Sequence, residues 1–160
     1  MQKIKKSGNT LVVSAYGFTL IEVLLVIAIL AILAAVVIIA LNPAKQLAEA
    51  RDTQRSSDVF SILNALYQYS LDNEGAFPAE ITTDGREVCA TSSDTCDELD
   101  LSELTDEEKY LVSIPLDPQC AHGNSDCTEN GTGYYVNRTE NGRMTVSAYG
   151  AETSEIVVTR

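Results

Sequence analysis

The sequence predicts an α+β protein, with a long N-terminal α-helix, transmembrane in its first half, packed on a small antiparallel β-sheet head. Three observations lead there. Val23 to Leu41 is a run of nineteen residues without a polar side chain. Apolar residues then recur at three- and four-residue spacing from Val59 to Tyr69, which is the period of a one-sided helix. From Gly133 onward, apolar and polar residues alternate between turn signals, which is the period of a strand.

The chain has 160 residues, enough for one modest domain with an appendage. It carries 11 basic and 23 acidic side chains, a net charge of −12, with 45% hydrophobic residues. This composition excludes simple disorder, and the acidity argues against a direct nucleic-acid surface. The two properties belong to different parts of the chain. Residues 1–17 hold Lys3, Lys5 and Lys6 and no acid. Phe18 to Leu41 is interrupted only by Thr19 and Glu22. As a helix of about 1.5 Å rise per residue, that stretch crosses a bilayer with some tilt. Between Asp72 and Glu129, sixteen acids face only Arg86 and Lys109.

The lysines ahead of the apolar run keep the amino end cytoplasmic and send the rest across. An ordinary secretory signal has a shorter apolar region ending at a small-x-small site. Here a site of that kind, Ala48-Glu49-Ala50, lies seven residues past the end of the run. An uncleaved anchor accounts for the length but not for Glu22. A charge at a helix centre costs about 2.5–3.5 kcal/mol on insertion scales, so Glu22 asks for a partner.

Gly17-Phe18-Thr19-Leu20-Ile21-Glu22, after a short lysine-bearing leader and before a long apolar run, resembles the class III signal of type IV pilins and pseudopilins. The resemblance implies a pilin-like fold. It also implies cleavage by prepilin peptidase between Gly17 and Phe18, N-methylation of Phe18, and retention of the apolar segment. The residue chemistry agrees. Gly17 has no Cβ to keep a protease from the backbone. Cleavage would create a cationic amine at Phe18, and the Glu22 carboxylate of one subunit would pair with the amine of its neighbour, the assembly role that the family gives this glutamate. Ala28, Ala31, Ala34 and Ala35 permit close helix approach in lipid or in a filament core. Without residues 1–17, the chain keeps 8 basic and 23 acidic side chains, a net −15.

Asn42-Pro43 bends or restarts the helix, since proline suits only a first turn. Family members often place a helix-breaking proline earlier, where this chain has Ile38-Ile39-Ala40. Residues 44–74 read as an amphipathic helix with Val59, Ile62, Leu63, Leu66 and Tyr69 on its buried stripe. Glu49, Arg51, Asp52, Arg55 and Asp58 in its polar half are expected to be solvated rather than engaged in contacts between subunits. Asn73 and Gly75 end the helix, and Phe77-Pro78 follow.

Residues 76–131 are expected to be loop-rich, with a short helix or turns in Leu99–Lys109. Tyr110–Pro118 resembles the segment preceding the sheet in pseudopilins. Three strands are expected, at Gly133–Arg138, Met144–Ala148 and Ile156–Thr159, with Asn141-Gly142 as a hairpin turn. The equal spacing of Cys89 and Cys96 and of Cys120 and Cys127 favours two local disulfides, because short loops lose little entropy on closure. A site of four cysteines on zinc usually needs closer pairs. Asp117, Asn124, Asp126 and Glu129 offer oxygen ligands of the kind some pseudopilins use for calcium. No EF-hand pattern is present, so solvated acidic loops are favoured and no cofactor is expected. The tripeptides at Asn130 and Asn137 are taken as chance glycosylation patterns, and His122 as a loop residue. No nucleophile–base pair or phosphate loop is apparent, so no enzymatic activity is expected.

The expected organisation is a leader at 1–17, a membrane and filament-core helix at 18–41, its amphipathic second half at 42–75, and a head at 76–160. The resemblance implies a filament subunit whose partners are prepilin peptidase, copies of itself and related pilins, an inner-membrane assembly platform and membrane lipid. The precursor would cross the inner membrane once with its head outside, then enter an extracellular or periplasmic filament. A surface pilus and a type II secretion pseudopilus both fit. An uncleaved membrane-anchored binding domain is the alternative from a different class.

Overall fold

The structure is a computed structural model that describes residues 17–90, 98–120, 127, 128 and 130–160. Helix α1 spans Leu20–Leu41 and α2 spans Pro43–Asp72. Strands β1 (Arg86–Cys89), β2 (Gly131–Arg138), β3 (Met144–Ala148) and β4 (Ile156–Thr159) form one antiparallel sheet in chain order. The chain divides into two units between Asn42 and Pro43.

In the first unit, α1 is apolar except for Glu22 in its first turn and has no buried residue. Its 22 residues are long and apolar enough to cross a membrane. The helix stops because Asn42 takes a left-handed backbone at φ 45°, a conformation asparagine tolerates better than most residues. Pro43 then opens α2 from its first position, where its missing N–H leaves no hydrogen bond unmade. Of the two expectations for Asn42-Pro43, the chain takes the restart.

In the second unit, α2 lies across one face of the sheet, chiefly on β3 and β4. Val59, Ile62, Leu63 and Leu66 are buried as their spacing predicts, Ala65 joins them, and Tyr69 is half-buried. They meet Tyr134 and Val136 of β2, Met144, Val146 and Ala148 of β3, and Ile156 of β4 in one core. Removing one such aliphatic side chain from water contributes about 1.5–3 kcal/mol. Past Asp72, the Gly75 N–H bonds the Ser70 carbonyl at 2.7 Å, with Gly75 at φ 88°, so the helix closes on the glycine the sequence offered. Phe77 folds back edge-on to Tyr67 at 5.3 Å between ring centres.

The sheet has four strands rather than three. The added strand, β1, lies within the segment expected to be loop, and it pairs with β2 through Arg86↔Val136 and Glu87↔Tyr135 before a bulge shifts the register at Cys89. Its outer edge is closed at one point by Leu99, which exchanges backbone hydrogen bonds with Cys89 and Glu87 at 2.9 Å each. β1 also means that Tyr110–Pro118 lies between strands instead of ahead of the sheet. β2 starts two residues earlier than expected, at Gly131. Ser102–Leu104 and Asp106–Glu108 form single 3₁₀ turns. The β2–β3 hairpin turns through Gly142 at φ 80°, at the predicted Asn-Gly pair.

This packing makes two substitutions on α2 diverge. Leu66→Ala is expected to destabilise the head by about 2–5 kcal/mol. Leu71→Ala, on a residue 81% exposed, stays within about 0.5 kcal/mol. Urea unfolding followed through the tyrosine near-ultraviolet signal checks the contrast, and equal losses would contradict the burial pattern.

Candidate functional site

Gly17 and Phe18 stand immediately before α1. A Cβ built on Gly17 would meet nothing within 4 Å, and Phe18 is 81% exposed. Thr19 caps the helix: its side-chain oxygen accepts the Glu22 backbone N–H at 3.3 Å. Thr19 and Glu22 therefore occupy the two ends of a Thr-x-x-Glu capping pattern, a signal legible in the sequence. Glu22 lies in the first turn, where the helix dipole favours a negative charge. The segment is thus an exposed glycine–aromatic pair followed by a capped helix whose one charged residue, Glu22, lies in its first turn.

Residues 14–38 match the prokaryotic N-terminal methylation motif, the signature of type IV pilin and pseudopilin precursors. The chain carries a prepilin-type signal. No curated protein and no solved structure matches it. The matched residues include Gly17, Phe18 and Glu22 and most of α1, so the methylation motif and the membrane-length helix are one continuous segment. In the second unit, α2 and the antiparallel sheet complete the α+β arrangement expected of a pilin-like chain.

The polar half of α2 departs from expectation. Asp52 and Arg55 are buried, not solvated, with Arg55 closed to solvent. The Arg55 guanidinium donates to both oxygens of Asp117, at 2.6 Å from Nε and 3.0 Å from Nη2. Its Nη1 donates to Asp52 at 2.9 Å and to Glu152 at 3.2 Å, and Nη2 also reaches the Gln119 side-chain oxygen at 2.5 Å. Arg51 grips Glu152 with two bonds of 2.6 Å. Asp52 accepts the backbone N–H groups of Glu152 and Thr153 and, at 2.5 Å, the Thr153 hydroxyl. One helical turn thereby holds the chain at Asp117 and again at Glu152–Thr153. Asp58 accepts from the Tyr134 hydroxyl at 2.7 Å. Periodicity held the clue: 52, 55, 59, 62 and 66 continue one stripe, and its charged members lie on the buried face.

The electrostatics follow from this packing. Burial pushes the Asp52 carboxyl up, but the hydrogen bonds from Thr153, Glu152 and Arg55 outweigh it and hold it well below the ordinary value. The Arg51 hydrogen bond holds Glu152 low, and the Asp117 hydrogen bond keeps Arg55 firmly protonated. Burial raises Asp58 and, still more, the Tyr134 hydroxyl. Asp117, offered by the sequence as a calcium ligand, is engaged by Arg55. Asn124, Asp126 and Glu129 lie outside the described residues, as does His122. Among the described residues, no three acidic, histidine or cysteine side chains converge in a way that would hold a metal ion.

Cys120 and Cys127 are disulfide-bonded, with Cα atoms 5.8 Å apart. Cys89 is also disulfide-bonded, and its expected partner, Cys96, lies outside the described residues. A buried carboxylate the sequence did not single out, Glu87, accepts the backbone N–H groups of Gly133 at 2.6 Å and Thr128 at 3.0 Å.

Two outcomes test the charge cluster. Arg55→Met leaves Asp117 and Asp52 without their cation and is expected to cost about 3–5 kcal/mol in chemical denaturation. The low Asp52 value means that its contribution is fully present above the ordinary aspartate value of 3.8 and is lost as pH falls through the folded value. The stability gap between the wild type and Asp52→Asn therefore narrows from pH 6 to pH 2. A gap that widens on acidification would reverse the sign assigned to this carboxylate.

Proposed function

We propose that this chain is a structural subunit of a type IV pilus-like filament. On this reading, prepilin peptidase cuts it between Gly17 and Phe18 and methylates Phe18, and the subunit assembles through its apolar helix. The observation that carries the proposal is the methylation motif continuous with an apolar helix that has no buried residue among the described residues. A helix without buried residues is stable in lipid or against copies of itself, and not in water.

Glu22 explains why such a helix would leave lipid. Transfer of Leu, Ile and Val from lipid to a helical bundle gains little hydrophobic energy, so close packing and polar pairing must drive it. A carboxylate five residues into the cleaved chain, facing the new amine of a neighbour, supplies a pair that is costly to break in a low-dielectric core. The disulfides suit a head in an oxidising compartment outside the cytoplasmic membrane. The acidic head would cover the filament surface. The partners are the peptidase, further copies and related subunits, and a membrane assembly platform.

Mass spectrometry of the mature amino terminus is the direct test. The expected chain begins at N-methylated Phe18, and Gly17→Val leaves the precursor uncut. A mature chain that keeps its leader, or starts at another residue, would sink the proposal and favour an uncleaved anchor. Glu22→Ala is expected to be cleaved normally and to yield few or no filaments in shear preparations. Filaments in wild-type amount would remove the pairing argument.

A further inference from the structure

We propose that the Cys120–Cys127 disulfide and the Arg55 cluster are one coupled unit: oxidation of the two thiols locks the first half of α2 onto the head, and reduction loosens it. The coupling belongs to the head alone and does not depend on cleavage or filament assembly.

The first observation is a shared seat. Gly133 of β2 has φ 81°, and a Cβ at that position would lie 2.8 Å from the Asp117 Cβ, 2.8 Å from the Cys120 Sγ and 3.3 Å from the Cys127 Sγ. Asp117 and both sulfurs therefore pack onto a residue of the strand that has no side chain to displace them. Two unbonded sulfurs cannot both keep that seat, because thiols in van der Waals contact stand farther apart than bonded ones.

The second observation is the path from the sulfur to the guanidinium. The Asp117 N–H bonds the Thr132 carbonyl at 2.9 Å, which pins this segment to β2. The Cys120 N–H bonds the Asp117 carbonyl at 3.0 Å, and the Gln119 N–H bonds the Asp117 carboxylate at 2.8 Å. Asp117 and Gln119 both present their side-chain oxygens to Arg55. A displacement of Cys120 thus moves three of the acceptors around a guanidinium closed to solvent. An unpartnered buried charge is expensive, so the arginine and its turn of α2 follow. The same turn holds Glu152 and Thr153 through Asp52, and the loosening extends to the β3–β4 connection.

The redox step is balanced by general thiol chemistry. Oxidation takes two protons and two electrons from the Cys120 and Cys127 thiols, and a disulfide-bearing oxidant accepts them and becomes a dithiol. Such oxidants act outside the cytoplasm, so the lock closes after the head has crossed the membrane.

Coupling of this kind is reciprocal, which allows a test from both directions. Full-length protein in detergent is equilibrated with reduced and oxidised dithiothreitol and then alkylated, and the Cys120 and Cys127 peptides are read by mass spectrometry. Asp117→Asn is expected to shift the equilibrium at least tenfold toward the thiols, or about 30 mV. Lys109→Ala, which removes an exposed ion pair with Asp72, leaves it unchanged. Gln119→Ala, expected to shift it about threefold, replaces Asp117→Asn if that variant does not fold. In the other direction, Cys120→Ser/Cys127→Ser is expected to speed hydrogen exchange at the Glu152 and Thr153 amides about tenfold, with core amides of β3 still protected. A wild-type reduction equilibrium in the folded cluster variants, or unchanged exchange at Glu152 and Thr153 in the serine variant, would overturn the coupling.

Discussion

Arg55 brings five N–H donors into a region closed to water, and all five find an oxygen. The head is organised around that satisfaction. A guanidinium is planar and permanently charged, so it cannot escape burial by losing its proton, as a lysine can. Its acceptors must be delivered from several directions, and they come from α2 itself, from Asp117 and Gln119, and from Glu152. Segments that share no strand pairing with α2 are thereby fixed to it. The apolar core beneath is not directional and would tolerate small rotations of α2. The arginine does not, because its two bonds to Asp117 set both distance and angle.

The two units of the chain meet opposite requirements. In the head, the stripe from Val59 to Leu66 is covered by the sheet, and among the described residues buried polar side chains are paired, as Glu87 shows by taking two backbone N–H groups. In α1 no residue is buried. Its backbone is satisfied internally and its side chains are exposed. The boundary is local and chemical: a left-handed asparagine and a proline end one helix and begin the next. The two helices are thus specified independently, one by its surroundings and the other by the sheet it covers.

Much of this was legible from residue order. The Gly-Phe-Thr-Leu-Ile-Glu signal, the apolar run, the stripe from Val59 to Leu66 and the Asn-Gly hairpin are all local patterns with a fixed period or spacing. What escaped was non-local. β1 is four residues long and charged at two of them, and it exists because β2, more than forty residues later, offers an edge and the Gly133 N–H for Glu87, with the Thr128 N–H just before the strand. Asp52 and Arg55 look solvated by type, as most surface charges are, although they extend the buried stripe of α2.

By itself the sequence determined where the membrane-length helix lies, where the methylation motif lies, and which face of α2 is apolar. Those properties follow from the side chains of neighbouring residues and need no partner. The tertiary structure alone decided the partners of the charges. Whether an aspartate is a solvated acid, a metal ligand or half of a buried pair depends on what packs beside it. Asp117 became Arg55's partner because the fold carries it 62 residues back onto the same turn of α2.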